Sequence, residues 1–178
     1  MWRFLIPVVV FAALVGFFAI GLNRDPSIVP SPFIGKTAPA FTRPTVEDST
    51  RTVSVSDFAG RPFLLNIWGT WCVECRHEHD VLLEIARQNT LPIVGLNWKD
   101  ELPLAREWLQ KLGDPYTASA FDPDGTAGID WGAYGAPETF LVDAKGTVIY
   151  KYISPLTLEV WRTQFLPRLA QSQRQDKQ

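Results

Sequence analysis

Apolar positions change character along the chain. From Phe4 to Leu22 they run continuously, broken only by Pro7, Gly16 and Gly21, with Arg3 just ahead. At about 1.5 Å of rise per residue, such a helix matches the roughly 30 Å hydrocarbon core of a bilayer. Residues 1–22 are therefore expected to be a transmembrane anchor. The run exceeds the usual apolar stretch of a cleaved signal peptide, and Ala19-Ile20-Gly21 is a poor cleavage site. Residues 23–34 carry Pro26, Pro30 and Pro32, which suits an extended spacer.

From residue 35 to about 170, short buried-type runs alternate with helical spacing. Strands are expected at Arg51–Val55, Phe63–Trp68, Leu91–Asn97, Thr139–Val142 and Thr147–Tyr152, the last two joined by the hairpin signal Ala144-Lys145-Gly146. Helices are expected from Cys75 to about Gln88, with Val81, Leu82 and Ile85 as the apolar stripe, and from Glu101 to Leu112, closed by Gly113. A last amphipathic helix runs from Thr157 to about Leu169, and residues 171–178 form a polar tail expected to fray. The order is that of an α/β domain with helices on both faces of a mixed sheet, behind an N-terminal extension.

Composition narrows the function. The 178 residues have a net charge of −2 and no long basic run, so nucleic acid finds no electrostatic footprint. Arg3 and the α-amino group favour a cytoplasmic N-terminus, which would place the rest of the chain outside the cytoplasm. The two cysteines are Cys72 and Cys75. A bridge between them closes so short a loop that it restrains little of the unfolded chain. The pair suits chemistry better than scaffolding.

The motif Trp71-Cys72-Val73-Glu74-Cys75 falls between an apolar strand and a helix. That junction puts Cys72 at a helix N-terminus, where unpaired N–H groups and the macrodipole favour a thiolate. The thiolate is the form that attacks a disulfide, and Cys75, one turn on, can resolve the mixed disulfide. Glu74, between the cysteines, should disfavour that thiolate and make the pair more reducing. Metal binding is a rival, because Cys72, Cys75, His77 and His79 read as C-x2-C-x-H-x-H. Closed zinc sites, however, draw their ligands from two separated segments. Peroxidase chemistry on the same fold is argued against by Leu65 and Gly69, which stand where it needs a proline and a hydroxyl residue. A second motif, Gly135-Ala136-Pro137-Glu138-Thr139-Phe140, leads into a strand. Pro137 belongs at that strand's start, and a cis bond there would leave the Ala136 backbone free to pair with an extended substrate.

WGTWCVEC, RHEH, GLNWKD and DPDGTAGIDWGAYGAPETFLVD together resemble the CcmG/DsbE family, the membrane-anchored thioredoxin-like proteins of bacterial cytochrome c maturation. The resemblance implies a thioredoxin fold and a periplasmic reductase held in the inner membrane. Cys72 would be the nucleophile, Cys75 the resolving thiol and Pro137 the cis-proline, with no cofactor beyond the redox-active pair. It also implies apocytochrome c or a CcmH-type protein as client, and a DsbD- or CcdA-type membrane transporter as electron source. Thioredoxins carry a buried acid six residues before the first cysteine, where this chain has Asn66, an amide that cannot exchange a proton. Glu138 and Glu74 are the nearest carboxylates in sequence for that task. The alternative is a copper-delivering protein of the same fold, using the cysteines and a histidine as ligands.

Overall fold

The structure, a computed structural model, describes residues 2–22 and 33–175. The expected linker lies outside the described residues except for residues 33 and 34, as does the last part of the tail, residues 176–178. Helix α1 covers Trp2–Leu22. The side chains described within it, residues 5–19, include strongly exposed Phe11 and Phe17. Among the described residues, no helix is long and apolar enough to cross a membrane; of the expected span Phe4–Leu22, only residues 5–19 have described side chains.

Five strands form the central sheet: β3 (Phe63–Trp68), β4 (Ile93–Trp98), β5 (Ala118–Asp122), β6 (Glu138–Val142) and β7 (Val148–Ile153). Their order is β5-β4-β3-β6-β7, with β3, β4 and β5 parallel and β6 and β7 antiparallel to their neighbours. A small hairpin of β1 (Thr42–Pro44) and β2 (Thr52–Ser54) reaches the β5 edge through a Thr45–Ala120 bridge. Helix α2 (Val73–Arg87) follows β3, and α3 (Leu102–Leu112) follows β4 with Pro103 in its first turn. Gly113 ends α3 at a φ of 91°, open to glycine and strained for other residues.

Alternation along β3 divides the core. Leu64 and Trp68 pack with Leu82, Ile85, Leu109, Trp161 and Phe165 on one face. Leu65 and Ile67 pack with Phe41, Phe58, Leu96, Trp131 and Phe140 on the other. Asn66 shares the parity of Leu64 and Trp68, so its amide points into the layer beneath α2.

Besides β1 and a 3-10 turn at Val55–Phe58, neither of which was expected, the structure differs from the sequence reading in two larger stretches. Between α3 and β6 lie β5 and the short helix α4 (Thr126–Asp130), where no element was expected. The β5 residues Ala-Ser-Ala-Phe-Asp lack a strand-like alternation; small Ser119 is required because the Trp68 indole donates to its hydroxyl at 3.0 Å. The C-terminal helix also runs past Leu169. It proceeds as α5 (Leu158–Val160), a π-helical turn at Trp161–Phe165 and α6 (Leu166–Gln175). Ser172, expected in the frayed tail, is buried and donates to the Leu169 carbonyl.

Candidate active site

Cys72 is the N-cap of α2: its Sγ accepts the Cys75 amide at 3.0 Å. Cys72 and Cys75 form a disulfide, with Cα atoms 5.3 Å apart, and both are buried. On reduction, the same amide and the positive end of the helix face the Cys72 sulfur and favour its thiolate. The turn before it is pinned twice. Asp100 accepts from the Thr70 amide and hydroxyl, both at 2.6 Å, and also from Asn97 Nδ2 and the Glu101 amide at 2.8 Å. The half-exposed Trp71 donates its indole N–H to the Trp98 carbonyl at 3.1 Å. Its ring lies so close over Gly69 that a Cβ there would meet Nε1 at 2.5 Å.

The Ala136–Pro137 bond is cis. Glu138, the first β6 residue, pairs with Ile67 near the end of β3, so residues 135–137 and the Cys72 turn share one end of adjacent strands. Ala136 packs against the core layer that contains both cysteines. Two motifs distant in sequence thus lie at the same end of the sheet.

The carboxylates nominated from sequence have other engagements. Glu138 is fully buried; it accepts from the Tyr134 and Gly135 amides at 2.8 and 3.2 Å and is ion-paired with buried Lys151 at 2.9 Å. Lys151 also donates to the Gly132 carbonyl at 2.9 Å, so this pair ties the loop ahead of Pro137 to β7. Glu74 is exposed and lies 3.3 Å from His77 Nδ1.

A different acid occupies the interior. Glu78 follows Cys75 by three residues, on the same helix face, and is 1% exposed. Its Oε1 accepts from Asn66 Nδ2 at 2.8 Å and its Oε2 from the Leu156 amide at 2.7 Å. Burial pushes this carboxyl up to about 7, against the two hydrogen bonds that pull it down. The sequence did hold a signal: Cys75, Glu78, Leu82 and Ile85 fall on one helical stripe, and a charge inside an apolar stripe is a candidate buried acid.

The histidines are not arranged as ligands. His79 accepts the Trp108 indole N–H at Nδ1 and holds the Gly113 carbonyl through Nε2, at 3.2 and 3.0 Å. Burial lowers its pKa, consistent with a neutral ring protonated at Nε2. His77 is exposed. Among the described residues, no group of three or more potential ligands clusters around a metal position.

A strand-to-helix disulfide on this sheet, beside a cis-proline loop, defines a thioredoxin-like thiol-disulfide oxidoreductase. Residues 33–162 match the Redoxin family. The chain belongs to the DsbE family of thiol:disulfide interchange proteins. It is 45% identical to the thiol:disulfide interchange protein DsbE of Allochromatium vinosum over 96% of this chain and 94% of that protein. For DsbE of Escherichia coli, identity is 38% over 92% and 91% of the two chains. The fold is also that of a secreted thiol-disulfide isomerase from Corynebacterium glutamicum, with a TM-score of 0.69, 22% identity, and coverage of 83% of this chain and 96% of that one.

Proposed function

We propose that this enzyme works outside the cytoplasm as a reductant of disulfides in apocytochrome c, or in a CcmH-type maturation partner, and is held at the inner membrane by α1. The motifs shared with the CcmG/DsbE family support the client, and the apolar run at Phe4–Leu22 supports the anchor. A DsbD- or CcdA-type transporter would return the pair to the dithiol form.

The observation that carries the chemistry is the buried Glu78 one turn beyond Cys75. Reduced Cys72, as thiolate, attacks one sulfur of the client disulfide; a mixed disulfide forms and the other client sulfur leaves as a thiolate that takes up a proton. Glu78, as carboxylate, accepts the Cys75 thiol proton. The Cys75 thiolate then attacks Cys72 Sγ, the intramolecular disulfide forms, and the second client sulfur leaves. Two electrons pass to the client and the enzyme ends oxidised. A carboxyl poised near neutrality is matched to this transfer. The Ala136 backbone beside Pro137 would align the client strand.

Cys75→Ser should therefore accumulate a covalent Cys72–client adduct on non-reducing gels of membrane extracts, and Cys72→Ser should not. Mass spectrometry should identify the trapped partner as an apocytochrome c or its maturation partner. Trapping by Cys72→Ser alone would reverse the roles of the thiols. Trapping by neither, with stoichiometric copper on the purified protein, would replace this reading with metal delivery.

A further inference from the structure

Glu78 belongs to a set of buried hydrogen bonds whose pattern depends on the charge of its carboxyl. Asn66 Nδ2 donates to Glu78 Oε1 at 2.8 Å and to Thr139 Oγ1 at 3.1 Å, while Asn66 Oδ1 accepts the Tyr116 hydroxyl at 2.9 Å. Asn66 and Thr139 are fully buried, Glu78 is 1% exposed and Tyr116 is 9% exposed. This arrangement fits an ionised Glu78, which can only accept.

A protonated Glu78 needs an acceptor instead. The Leu156 amide on Oε2 is a donor and cannot serve. The new O–H therefore falls on the Asn66 side, where an N–H would oppose it. Turning the Asn66 amide over resolves the conflict. Its Oδ1 accepts from Glu78, its Nδ2 donates to the Tyr116 oxygen, and the Thr139 hydroxyl, able to donate or accept, serves both states.

We infer that Asn66, set by Tyr116, is a positioning residue that turns its amide over with each protonation of Glu78 and keeps that carboxyl hydrogen-bonded in both states. The inference rests on the reading of Glu78 as the proton acceptor for Cys75. The neighbouring groups leave the task to these residues. On α2, Cys75 is a thiol, and His79 is held by Trp108 and Gly113. From β6, Glu138 is committed to Lys151. Ahead of β5, Asp114 binds the Tyr116 amide, and burial keeps the Tyr116 phenol protonated.

The arrangement makes a directional prediction for Tyr116→Phe. In the ionised state the tyrosine donates its proton to Asn66; in the protonated state it only accepts. Asn66 and Tyr116 share one hydrogen bond in either state, but the Tyr116 O–H has an acceptor only in the ionised one. Tyr116 thus favours the ionised form by the cost of one buried unpaired donor, and its loss should raise the Glu78 midpoint by roughly one pH unit.

The test is a pH titration of the reduced full-length chain in mild detergent by NMR, with ¹³C at glutamate carboxyls and ¹⁵N at asparagine amides. Glu78→Gln and Asn66→Leu identify the two signals. The expected result is a Glu78 carboxyl and an Asn66 side-chain amide that shift with one common midpoint, moved upward in Tyr116→Phe. An Asn66 amide that stays still while Glu78 titrates overturns the inference and leaves the proton-acceptor reading intact. A midpoint unchanged by Tyr116→Phe overturns the assignment of Tyr116. Coupled shifts, together with unimpaired resolution of mixed disulfides in Glu78→Gln, would support the amide turnover while removing the proton-acceptor reading. A Glu78 that does not titrate between pH 4 and 9 overturns both.

Discussion

Replacing Glu78 by Gln removes a buried ionisation and leaves a side chain of nearly the same shape. The carboxyl, ordinarily near 4.5, is held at about 7 in the folded protein. Below pH 4.5, folded and unfolded chains both carry the proton, and the group contributes nothing to stability. Between about 4.5 and 7 the unfolded chain loses its proton while the folded chain keeps it, so stability falls as pH rises. Above about 7 the full penalty applies. A rise from 4.5 to about 7 amounts to roughly 3 kcal/mol at about 1.4 kcal/mol per pH unit. Glu78→Gln escapes this penalty. Any fixed cost of the new amide is the same at every pH and cancels between conditions. In urea unfolding of the oxidised chain, the stability difference between variant and parent should shift in the variant's favour by roughly 3 kcal/mol from pH 4.5 to pH 8. With a slope of about 1–3 kcal/mol per molar urea, that is a midpoint change on the order of 1–3 M. A difference that stays constant across this range would refute the raised carboxyl. Kinetically, the variant should form mixed disulfides at the parental rate and resolve them slowly.

Glu74→His should raise the reduction potential, measured by equilibration with glutathione, by about 30 mV for each 1.4 kcal/mol of added preference for the reduced form. Because Glu74 is exposed and close to His77, salt should shrink this change. Lys151→Met leaves Glu138 buried without its counter-ion and should cost about 3–5 kcal/mol in denaturant unfolding; Lys151→Met with Glu138→Gln should recover much of that. Asp100→Ala strips four hydrogen-bond donors of their acceptor and should lower stability by about 2–4 kcal/mol. In the same variant the Thr70 amide should lose its protection from hydrogen exchange.

The elements that sequence revealed are those whose burial imposes a pattern. FLLNIW has no room for a loop reading, and β3 occupies Phe63–Trp68 as expected. Gly113 marks the end of α3 because the backbone there needs a positive φ. β5 escaped notice because Ala118, Ser119 and Ala120 form no apolar alternation, and the role of Ser119 lies with Trp68, a partner 51 positions away. Nor did proximity in sequence locate the interior acid. Glu138 stands beside Pro137 yet is bound to Lys151, whose partnership across two strands no local pattern shows. The pairing of Asn66 with Glu78 depends on β3 passing under α2, a tertiary fact that leaves one clue, a charge among apolar neighbours on a helix.

The placement of that acid has a consequence for redesign. An acid at position 66 would sit on β3 while Cys75 sits on α2, so their separation would depend on how the helix packs on the sheet. Here Cys75 and Glu78 ride on one rigid rod, separated along its axis by about 4.5 Å whatever the sheet does. The pair is in effect a cassette. Grafted into another scaffold of this architecture, residues 72–87 would bring both cysteines and the buried acid proposed to accept a proton in fixed register. The host would need to supply only a strand amide to replace Asn66 and a backbone N–H to replace that of Leu156.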